Sequence, residues 1–473
     1  MQVPVAGELS ERESTELVEL LRQLIRIKSV NPPGDEILVA RHLERVFAEE
    51  GIASTVVEPF PGRGSIVARV HGDGTGGDPL LLLSHLDVVP AEPEGWSHEP
   101  FAGDLADGYV WGRGAIDMKG MVAMEAQVMR RLARSARAAG RNPATDPIPG
   151  LRRDVIFCSS ADEEAGGWHG ADWIVNNHPE WLHAAAALNE AGGIATTYGG
   201  IRFYPIQVAE KGFVVYRLHV KGRWGHGSVP TPDNAAVLAA QIVMRLSESG
   251  PVRLTDAMAL SLKRALPHMA PRAAKVLGAL LADPNGGAGV EAGDVDAALR
   301  GICDPVLGRT LSAVIHDTVS VGIVQSGVKY NVIPGTAMIE IDCRTLPGTD
   351  EPAMRAELRR RIGEELWARL EVEFVHVGAA VQAPLDAPIF GILESVLRDH
   401  DPDGVPVPFM APFATDAKHL ARIGVPTYGF SPLRVGDGDG LLDLMHGDDE
   451  RVSVEALRWG LPVLWDAVIR FCS

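Results

Sequence analysis

The stretch that decides the fold is PLLLLSHLDVVP, residues 79–90. Its run of leucines is apolar on both faces, as expected of a central strand that helices cover on both sides. The apolar runs DVIFCSS, residues 154–160, and AAAALNE, residues 184–190, are of the same kind. Helical segments separate these runs, so the sequence predicts an α/β domain with a doubly wound, mostly parallel sheet.

Helices are predicted on either side of the first apolar run. Ser10 and Glu13 match a capping box at the start of a first helix. Apolar residues at helical spacing continue that helix to about Ile27. A second helix is predicted over residues 36–50 and a long third helix over residues 118–138.

The pattern changes near residue 209, where alternating, half-exposed strands replace the fully apolar runs. Helices separate three such strands, which predicts a smaller α+β domain with its helices on one face. An Ala/Leu-rich helical insertion at about residues 252–315 interrupts it and contains the flexible turn DPNGGAGVEAGD. The α/β pattern then resumes, so the predicted parts are a catalytic domain at 1–208 and 383–473 and a smaller domain at 209–382.

Length and composition limit the partners and the compartment. The chain of 473 residues is too long for one ordinary domain, and its net charge of −18 argues against nucleic acid and anionic membranes as partners. Its 4 cysteines are scattered and form no CxxC pair, which predicts a reducing compartment, the cytoplasm. We expect neither a secretory signal nor a membrane span, because no basic region precedes an apolar run and no apolar run reaches about 18 residues.

Metal-binding side chains follow the ends of the apolar runs. They are His85, Asp87, Asp117, Glu163, Glu164, Glu190 and His446. Two imidazoles with several carboxylates suit a pair of divalent ions such as Zn²⁺, and one carboxylate is left to act as a base. His85 and Asp87 are alternate residues of an extended segment, so Asp87 can accept a hydrogen bond from the far ring nitrogen of His85. These residue types are the ones that the active site of a metal-assisted hydrolase requires.

Each of these side chains also has an ordinary structural alternative. Asp117 could cap the helix that follows it, and His446 could be a surface histidine. Glu163 and Glu164 could lie in a solvated loop, because two adjacent carboxylates repel each other and are costly to bury without cations. The whole series, in this order, favours a two-metal site over independent coincidences.

These motifs resemble the dinuclear zinc amidohydrolase and peptidase family, which includes acetylornithine deacetylase, succinyl-diaminopimelate desuccinylase, aminoacylase, carboxypeptidase S and the glutamate carboxypeptidases. The resemblance begins at LIRIKSVNPPGDE and continues through the metal motifs into GRWGHGSVP, NVIPG, TDAKHL and HGDDERVS. It is highly specific for the family and weakly specific for the substrate. The long helical insertion looks more like the carboxypeptidase S-like branch than the shorter bacterial deacetylases.

The resemblance implies a role for each candidate in the metal motifs. Asp117 would bridge two ions, Glu163 would be the general base, and Asp87 would orient a ligand. The remaining ligands would form two groups, Glu164 with His446 and His85 with Glu190.

The smaller domain would be a lid that also forms a homodimer, as in relatives. His226 would hydrogen-bond the developing oxyanion in the partner's site, as the equivalent histidine does in relatives, while Asn331 and Arg344 would contact the substrate. Arg344 can hold a carboxylate in bidentate fashion, although a surface salt bridge is its alternative. Thr415 is a weaker contact candidate, since Phe413 and the residue after it stand where many relatives carry two glycines. The helical insertion could instead cover the dimer surface.

The implied activity is hydrolysis of amide bonds in N-acyl amino acids or small peptides with a free carboxylate. Carbamoyl-amide hydrolysis is one alternative, but relatives with that activity usually place a histidine where this chain has Glu190. A zinc aminopeptidase of the related clan shares similar ligands but lacks such a lid. A catalytically silent metal-binding protein is the alternative outside enzymes, although no expected ligand or base is missing. Zn²⁺, Co²⁺ and Mn²⁺ all fit the ligand types.

Overall fold

The computed structural model describes residues 9–282, 292–301, 305–436 and 444–473. The chain forms two compact units. The first contains the described parts of Met1–Val208, Ala383–Phe409 and Thr415–Ser473, and the second contains those of Ala209–Gln382 and Met410–Ala414.

The strands are numbered in chain order. They are β1 (Ser54–Phe60), β2 (Arg63–Val70), β3 (Leu80–His85), β4 (Asp104–Ala106), β5 (Tyr109–Trp111), β6 (Val155–Ser160), β7 (Ala186–Asn189), β8 (Thr196–Tyr198), β9 (Ile201–Glu210), β10 (Gly212–Lys221), β11 (Gly225–His226), β12 (Thr318–Ser326), β13 (Val332–Ile333), β14 (Thr336–Thr345), β15 (Leu370–Gly378), β16 (Val381–Gln382), β17 (Val405–Ala411), β18 (Thr427–Gly429) and β19 (Arg451–Ser453).

The α-helices are numbered in the same way. They are α1 (Glu11–Arg26), α2 (Glu36–Glu49), α3 (Lys119–Ala138), α4 (Ala171–Asn177), α5 (Pro179–Leu182), α6 (Ala235–Leu246), α7 (Asp256–Ala265), α8 (Pro271–Ala282), α9 (Ala292–Arg300), α10 (Pro305–Ala313), α11 (Glu351–Ile362), α12 (Glu364–Trp367), α13 (Pro388–His400), α14 (Ala417–Leu420) and α15 (Val454–Cys472). None of these described helices is both long enough and apolar enough to span a membrane.

The sheet of the first unit has a parallel centre and antiparallel margins. Its strands run in the order β1-β2-β6-β3-β7-β18-β9. Strands β6, β3, β7 and β18 are parallel, whereas β1, β2 and β9 pair antiparallel with their neighbours. Every residue of β3, β6 and β7 is buried. The predicted α/β class is confirmed, and the carboxyl ends of the parallel strands share one edge.

Helices cover both faces of this sheet. The side chains of β3 alternate between the two faces, so this strand contacts helices on each side. Leu81 and Leu83 pack in one apolar cluster with residues of α4 and α14. On the other face, Ser84 of β3 bonds to Glu125 of α3. The predicted capping box is also confirmed, since Ser10 and Glu13 satisfy each other's backbone N–H at the start of α1.

Glu125 makes stability depend on pH. It is fully buried, accepts a hydrogen bond from Ser84 at 2.7 Å, and burial raises its pKa to about 8. An unfolded chain releases this proton above about pH 4.3. Between that pH and about 8 the unfolded state therefore binds fewer protons, so the free energy of unfolding falls as pH rises.

We expect Glu125→Gln to remove that fall, because the amide stays neutral and can still accept from Ser84. Thermal unfolding of the metal-free wild type and variant at pH 5 and pH 8 measures how the stability of each changes with pH. The variant should gain stability relative to wild type at the higher pH. An identical difference at both pH values would contradict the prediction.

The second unit is built on an antiparallel sheet in the order β12-β14-β10-β15. Inward residues of β10 and β14 pack under α6 and α11 in one apolar cluster. Strand β12 was not predicted, and the expectation of three strands is wrong. Most of β12 is exposed because it is an edge strand, so it lacks the buried alternation seen in β10.

Two further expectations differ from the structure or lie outside it. Residues 410–414 were predicted in the catalytic domain, but Met410 packs with Ala209 and Leu346 in the second unit. Helices α7 to α10 occupy the predicted insertion. Most of its predicted turn, residues 283–291, lies outside the described residues.

The cysteines of the described residues are free thiols. Cys158, Cys343 and Cys472 are buried and unpaired, while Cys303 lies outside the described residues.

Candidate metal centre

The candidate centre lies at the carboxyl edge of the parallel strands in the first unit. His85 is the last residue of β3 and is 1% exposed. Its Nε2 lies 3.1 Å from Oδ1 of Asp117 and 3.7 Å from Oε2 of Glu190. Glu190 directly follows β7, the strand next to β3. Neighbouring strands therefore bring these ligand types together, as the strand ends predicted.

Asp117 lies between the two histidines. Its Oδ2 is 3.1 Å from Nε2 of His446, and that nitrogen is also 3.2 Å from Oε2 of Glu164. The helix-capping alternative for Asp117 is wrong, because Met118 is the N-cap of α3 and its side chain makes no capping bond. Each oxygen of one carboxylate thus faces a different imidazole, which is the arrangement expected of a carboxylate that bridges two cations.

Asp87 connects His85 to the segment that carries Glu163 and Glu164. Its carboxylate accepts hydrogen bonds from the backbone N–H of Glu163 at 3.1 Å and of Glu164 at 3.0 Å. Its Oδ1 is 3.4 Å from Nδ1 of His85, whose ring nitrogen is also 3.1 Å from the Asp87 carbonyl oxygen. Nδ1 is thereby directed away from Asp117, which leaves Nε2 of His85 free to act as a ligand.

Asn31 was missed by the sequence reasoning. Its amide donates to Asp87 at 2.8 Å and to Asp162 at 3.2 Å, while its carbonyl oxygen accepts from Arg63 at 2.9 Å. Asn31 therefore fixes the orientation of Asp87. The only signal for it was its place in the NPPG segment, which carries no periodicity.

The acids of the centre repel one another, and the positive charges of His85 and Lys418 oppose this repulsion at Glu163. Burial, followed by the charge of Glu190, raises the pKa of Glu163 well above its ordinary value. Burial also raises the pKa of Glu190 to about 7. Hydrogen bonds to Asp117 and Glu164 raise the pKa of His446 to about 10. Cations at this place would remove the repulsion between the acids and displace those protons.

The donor set fits divalent metal ions. Ligand atoms of His85, Glu163 and Glu190 lie within 4.8 Å of one another, and so do those of His85, Asp117 and Glu164. Oε1 of Glu164 is buried and has no hydrogen-bond partner among the described residues. An unpartnered carboxylate oxygen beside two imidazoles is costly unless a cation takes it.

The predicted lid residues lie in the second unit. His226 on β11 pairs with Val332 of β13, next to Asn331, and its Nδ1 lies 2.7 Å from the hydroxyl of Ser228. The side-chain oxygen of Asn331 is buried, and no described residue forms a hydrogen bond with it. Strand pairing thus brings His226 and Asn331 together.

Arg344 and Thr415 are engaged within their own units. Arg344 on β14 pairs with Asp342 at 3.0 Å and lies 5.6 Å from the ring centroid of Phe213, so the salt bridge left open by the sequence is present. The Thr415 hydroxyl accepts from Asn189 at 2.9 Å, and the residue is 1% exposed. Contact of either residue with substrate stays a prediction.

Comparison with known proteins gives consistent matches over most of the chain. A family model described as peptidase family M20/M25/M40 matches residues 81–470. The chain is 28% identical over 472 residues to N-fatty-acyl-amino acid synthase/hydrolase PM20D1 of Xenopus tropicalis, covering 95% of this chain and 85% of that protein. It is 27% identical over 451 residues to aminoacylase-1 of Sus scrofa, covering 92% and 90%. The M20 family metallo-carboxypeptidase Sso-CP2 from Sulfolobus solfataricus shares the fold, with a TM-score of 0.67, 15% identity and coverage of 96% and 99%.

Proposed function

Since this chain belongs to peptidase family M20/M25/M40, we propose that it is a two-metal hydrolase of amide bonds. Its substrates would be N-acyl amino acids or small peptides with a free carboxylate. The observation that carries the proposal is Asp117, whose two oxygens each lie 3.1 Å from the Nε2 of a different histidine. The names of the PM20D1 and aminoacylase-1 relatives support N-acyl amino acids as the substrate class.

The proposed ligands divide into two groups that share Asp117. His446 and Glu164 would hold one ion, because their side-chain atoms lie 3.2 Å apart beside Asp117. His85 and Glu190 would hold the other. When bound, two divalent ions supply a water of lowered pKa and polarise the scissile carbonyl.

Glu163 is the proposed general base. Its side chain shares a cluster with His85 and Glu190, and its backbone is held by Asp87. A carboxylate at this position can accept a proton from the attacking water and then deliver it to the leaving nitrogen. Because the pKa of Glu163 is raised when no cation is present, binding of cations would prepare it to act as a base at neutral pH.

The second unit would supply the groups that recognise the substrate. We propose that His226 stabilises the oxyanion and that Asn331 and Arg344 bind the substrate around its carboxylate. The unpartnered Asn331 oxygen supports a ligand contact there. Arg344 would have to exchange part of its ion pair with Asp342 for the substrate.

A homodimer through the second unit is also proposed. Strand β12 is an edge of its sheet and contacts α6. Val324 on β12 is 52% exposed and Met244 on α6 is 68% exposed. An exposed edge strand next to exposed apolar side chains is suited to pairing with a second chain.

The alternatives differ in what they would hydrolyse. A carbamoyl-amide hydrolase would prefer N-carbamoyl amino acids, and an aminopeptidase would require a free amino terminus rather than a free carboxylate. A catalytically silent protein would bind metal and hydrolyse none of them. The complete set of ligands and the presence of Glu163 favour an active enzyme.

The first test joins metal content with a substrate panel. We expect about two ions per chain after reconstitution with Zn²⁺, Co²⁺ or Mn²⁺. Glu164→Ala and Glu190→Ala should each weaken one ion, and Asp117→Ala should weaken both. Glu180→Ala changes an exposed carboxylate on α5 and serves as the matched control. Elemental analysis after gel filtration measures the ions.

The panel pairs each N-acyl amino acid or dipeptide with the same compound amidated at its carboxylate. Hydrolysis of the free acids, with much weaker hydrolysis of the amidated partners, is the expected result. The proposal is wrong if folded, reconstituted protein binds no metal, or if it binds metal but cleaves only N-carbamoyl compounds or nothing.

A further inference from the structure

Glu450 is a fully buried carboxylate four positions after His446 in the chain. It belongs neither to the proposed metal ligands nor to the residues with a proposed catalytic role. Its carboxylate is surrounded by donors from the loop that ends in Asp117. Oε2 accepts from Nη1 of Arg113 at 2.8 Å and from Gly114 N at 2.9 Å, and Oε1 accepts from Ile116 N at 2.8 Å and from Asp117 N at 3.1 Å.

Arg113 extends these contacts to two further loops. It is 2% exposed, and its Nη2 donates to the carbonyl oxygens of His446 at 3.3 Å and of Pro90 at 3.5 Å. Its guanidinium lies 5.3 Å from the ring centroid of Trp96. One buried ion pair thus joins the loop after β3, the loop before α3 and the loop that carries His446.

A buried ion pair contributes little net stability, because desolvation of both charges offsets most of their attraction. Here, however, the Glu450 carboxylate also binds groups other than the Arg113 guanidinium. The Glu450 carboxylate satisfies backbone N–H groups of Gly114, Ile116 and Asp117 that would otherwise be buried without partners. These bonds fix the backbone from which the Asp117 side chain projects.

The two halves of the centre depend on this contact unequally. His85 is the last residue of the buried strand β3 and is oriented by Asp87, independently of Glu450. His446 lies in none of the described strands. It is 53% exposed at its side chain, has a φ of 63°, and its carbonyl oxygen bonds to Arg113.

We propose that Glu450 is a positioning residue that sets Asp117 directly, and His446 through Arg113, for the ion shared with Glu164. This rests on the proposed two-metal function. The ion between His85 and Glu190 depends on Glu450 only through Asp117 and is affected less. Both oxygens of Glu450 accept hydrogen bonds from protein donors, so Glu450 itself would bind neither ion nor substrate.

Glu450→Gln tests the proposal with little change of shape. The amide keeps one acceptor oxygen, but its NH₂ group faces donors that it cannot accept from. Metal-free protein is titrated with Co²⁺. Calorimetry and the Co²⁺ absorption spectrum monitor the titration and give the affinity of each of the two sites for Co²⁺. We expect the weakened ion to lose about 10–100-fold in affinity, the usual effect of removing a residue that orients ligands.

Combining Glu450→Gln with a ligand variant identifies which ion is weakened. In a Glu164→Ala background the remaining ion lies with His85 and Glu190, so Glu450→Gln should change its affinity little. In a Glu190→Ala background the full loss should appear. Equal losses in both backgrounds would overturn the selectivity.

Asp401→Asn is the control for loss of an ion pair whose carboxylate is buried. Asp401 lies in the same unit, is 3% exposed and bonds to Arg202 and Tyr204. The control should lower thermal stability while leaving both Co²⁺ affinities at the wild-type value. Arg113→Lys is a second variant, which keeps the charge but cannot reach Glu450 and the His446 carbonyl oxygen together. It should weaken the same ion even if Glu450→Gln fails to fold.

The outcomes separate this proposal from the proposed function. If wild-type protein fails to bind two ions, the two-metal function itself is wrong. If wild type binds two ions and hydrolyses the panel, but Glu450→Gln and Arg113→Lys keep both affinities, only the positioning role is wrong.

Discussion

Glu163→Gln is expected to lower turnover by at least about 10²–10⁴-fold while both ions and substrate affinity are retained. Glutamine has the shape of glutamate, but it can neither take the proton from the attacking water nor return it to the leaving nitrogen. The backbone N–H of residue 163 would still bond to Asp87, so the side chain keeps its place. Single-turnover rates on an N-acyl amino acid, with metal analysis of the same sample, measure the effect.

Glu164→Gln is the matched control, because it is the same chemical change at the adjacent residue. The side chain of Glu164 is 3.2 Å from His446 and is proposed to bind metal, so this variant should lose affinity for one ion. Added metal should then restore part of its turnover, whereas Glu163→Gln should not respond. If Glu163→Gln keeps most of the wild-type turnover, another group is the base.

The fold of the first unit could be predicted because its central strands are buried on both faces. Leu80 to Leu83 and Val155 to Cys158 are apolar without interruption, a pattern typical of strands that lie between two helical layers. In the second unit, β10 and β14 alternate clearly since one face packs on α6 and α11. Strand β12 was missed because an exposed edge imposes little pattern on its sequence.

The ligand types could be predicted from their position at strand ends, and the family assignment that these motifs implied is confirmed. Apart from Asp87, the residues that orient them could not. Asn31 bonds to Asp87 across 56 positions, and Glu450 bonds to Asp117 across 333 positions. A polar loop residue with a distant partner leaves no periodic signal, so only the folded chain reveals it. Likewise, only the geometry could exclude Asp117 as a helix cap.

His226→Ala is expected to reduce turnover by about 10²–10³-fold, the usual effect of losing one donor to a developing oxyanion. His226 belongs to the second unit, whereas all proposed ligands belong to the first. Its ring is oriented through Nδ1, which lies 2.7 Å from the Ser228 hydroxyl. Metal content should stay at the wild-type value, because this histidine is not a proposed ligand.

Mixing His226→Ala with Glu163→Gln tests whether the site is completed by a partner chain. If each site needs Glu163 from one chain and His226 from the other, equal mixing produces mixed dimers in which one of two sites is complete. About a quarter of all sites should then regain turnover, since about half of the dimers are mixed. Two different affinity tags show that subunits have exchanged and allow the mixed dimers to be purified.

The matched control mixes Glu163→Gln with Glu164→Ala. Both changes lie in the first unit of the chain, so each site of the mixed dimer still carries one of them, and turnover should not return. Restoration only with His226→Ala would therefore mean that the histidine, and not the base or a ligand, is exchanged between chains. If purified mixed dimers of Glu163→Gln and His226→Ala stay inactive, His226 acts within its own chain and the shared site is wrong. A protein that stays monomeric at all concentrations would exclude the proposed homodimer through the surface that carries exposed Val324 and Met244.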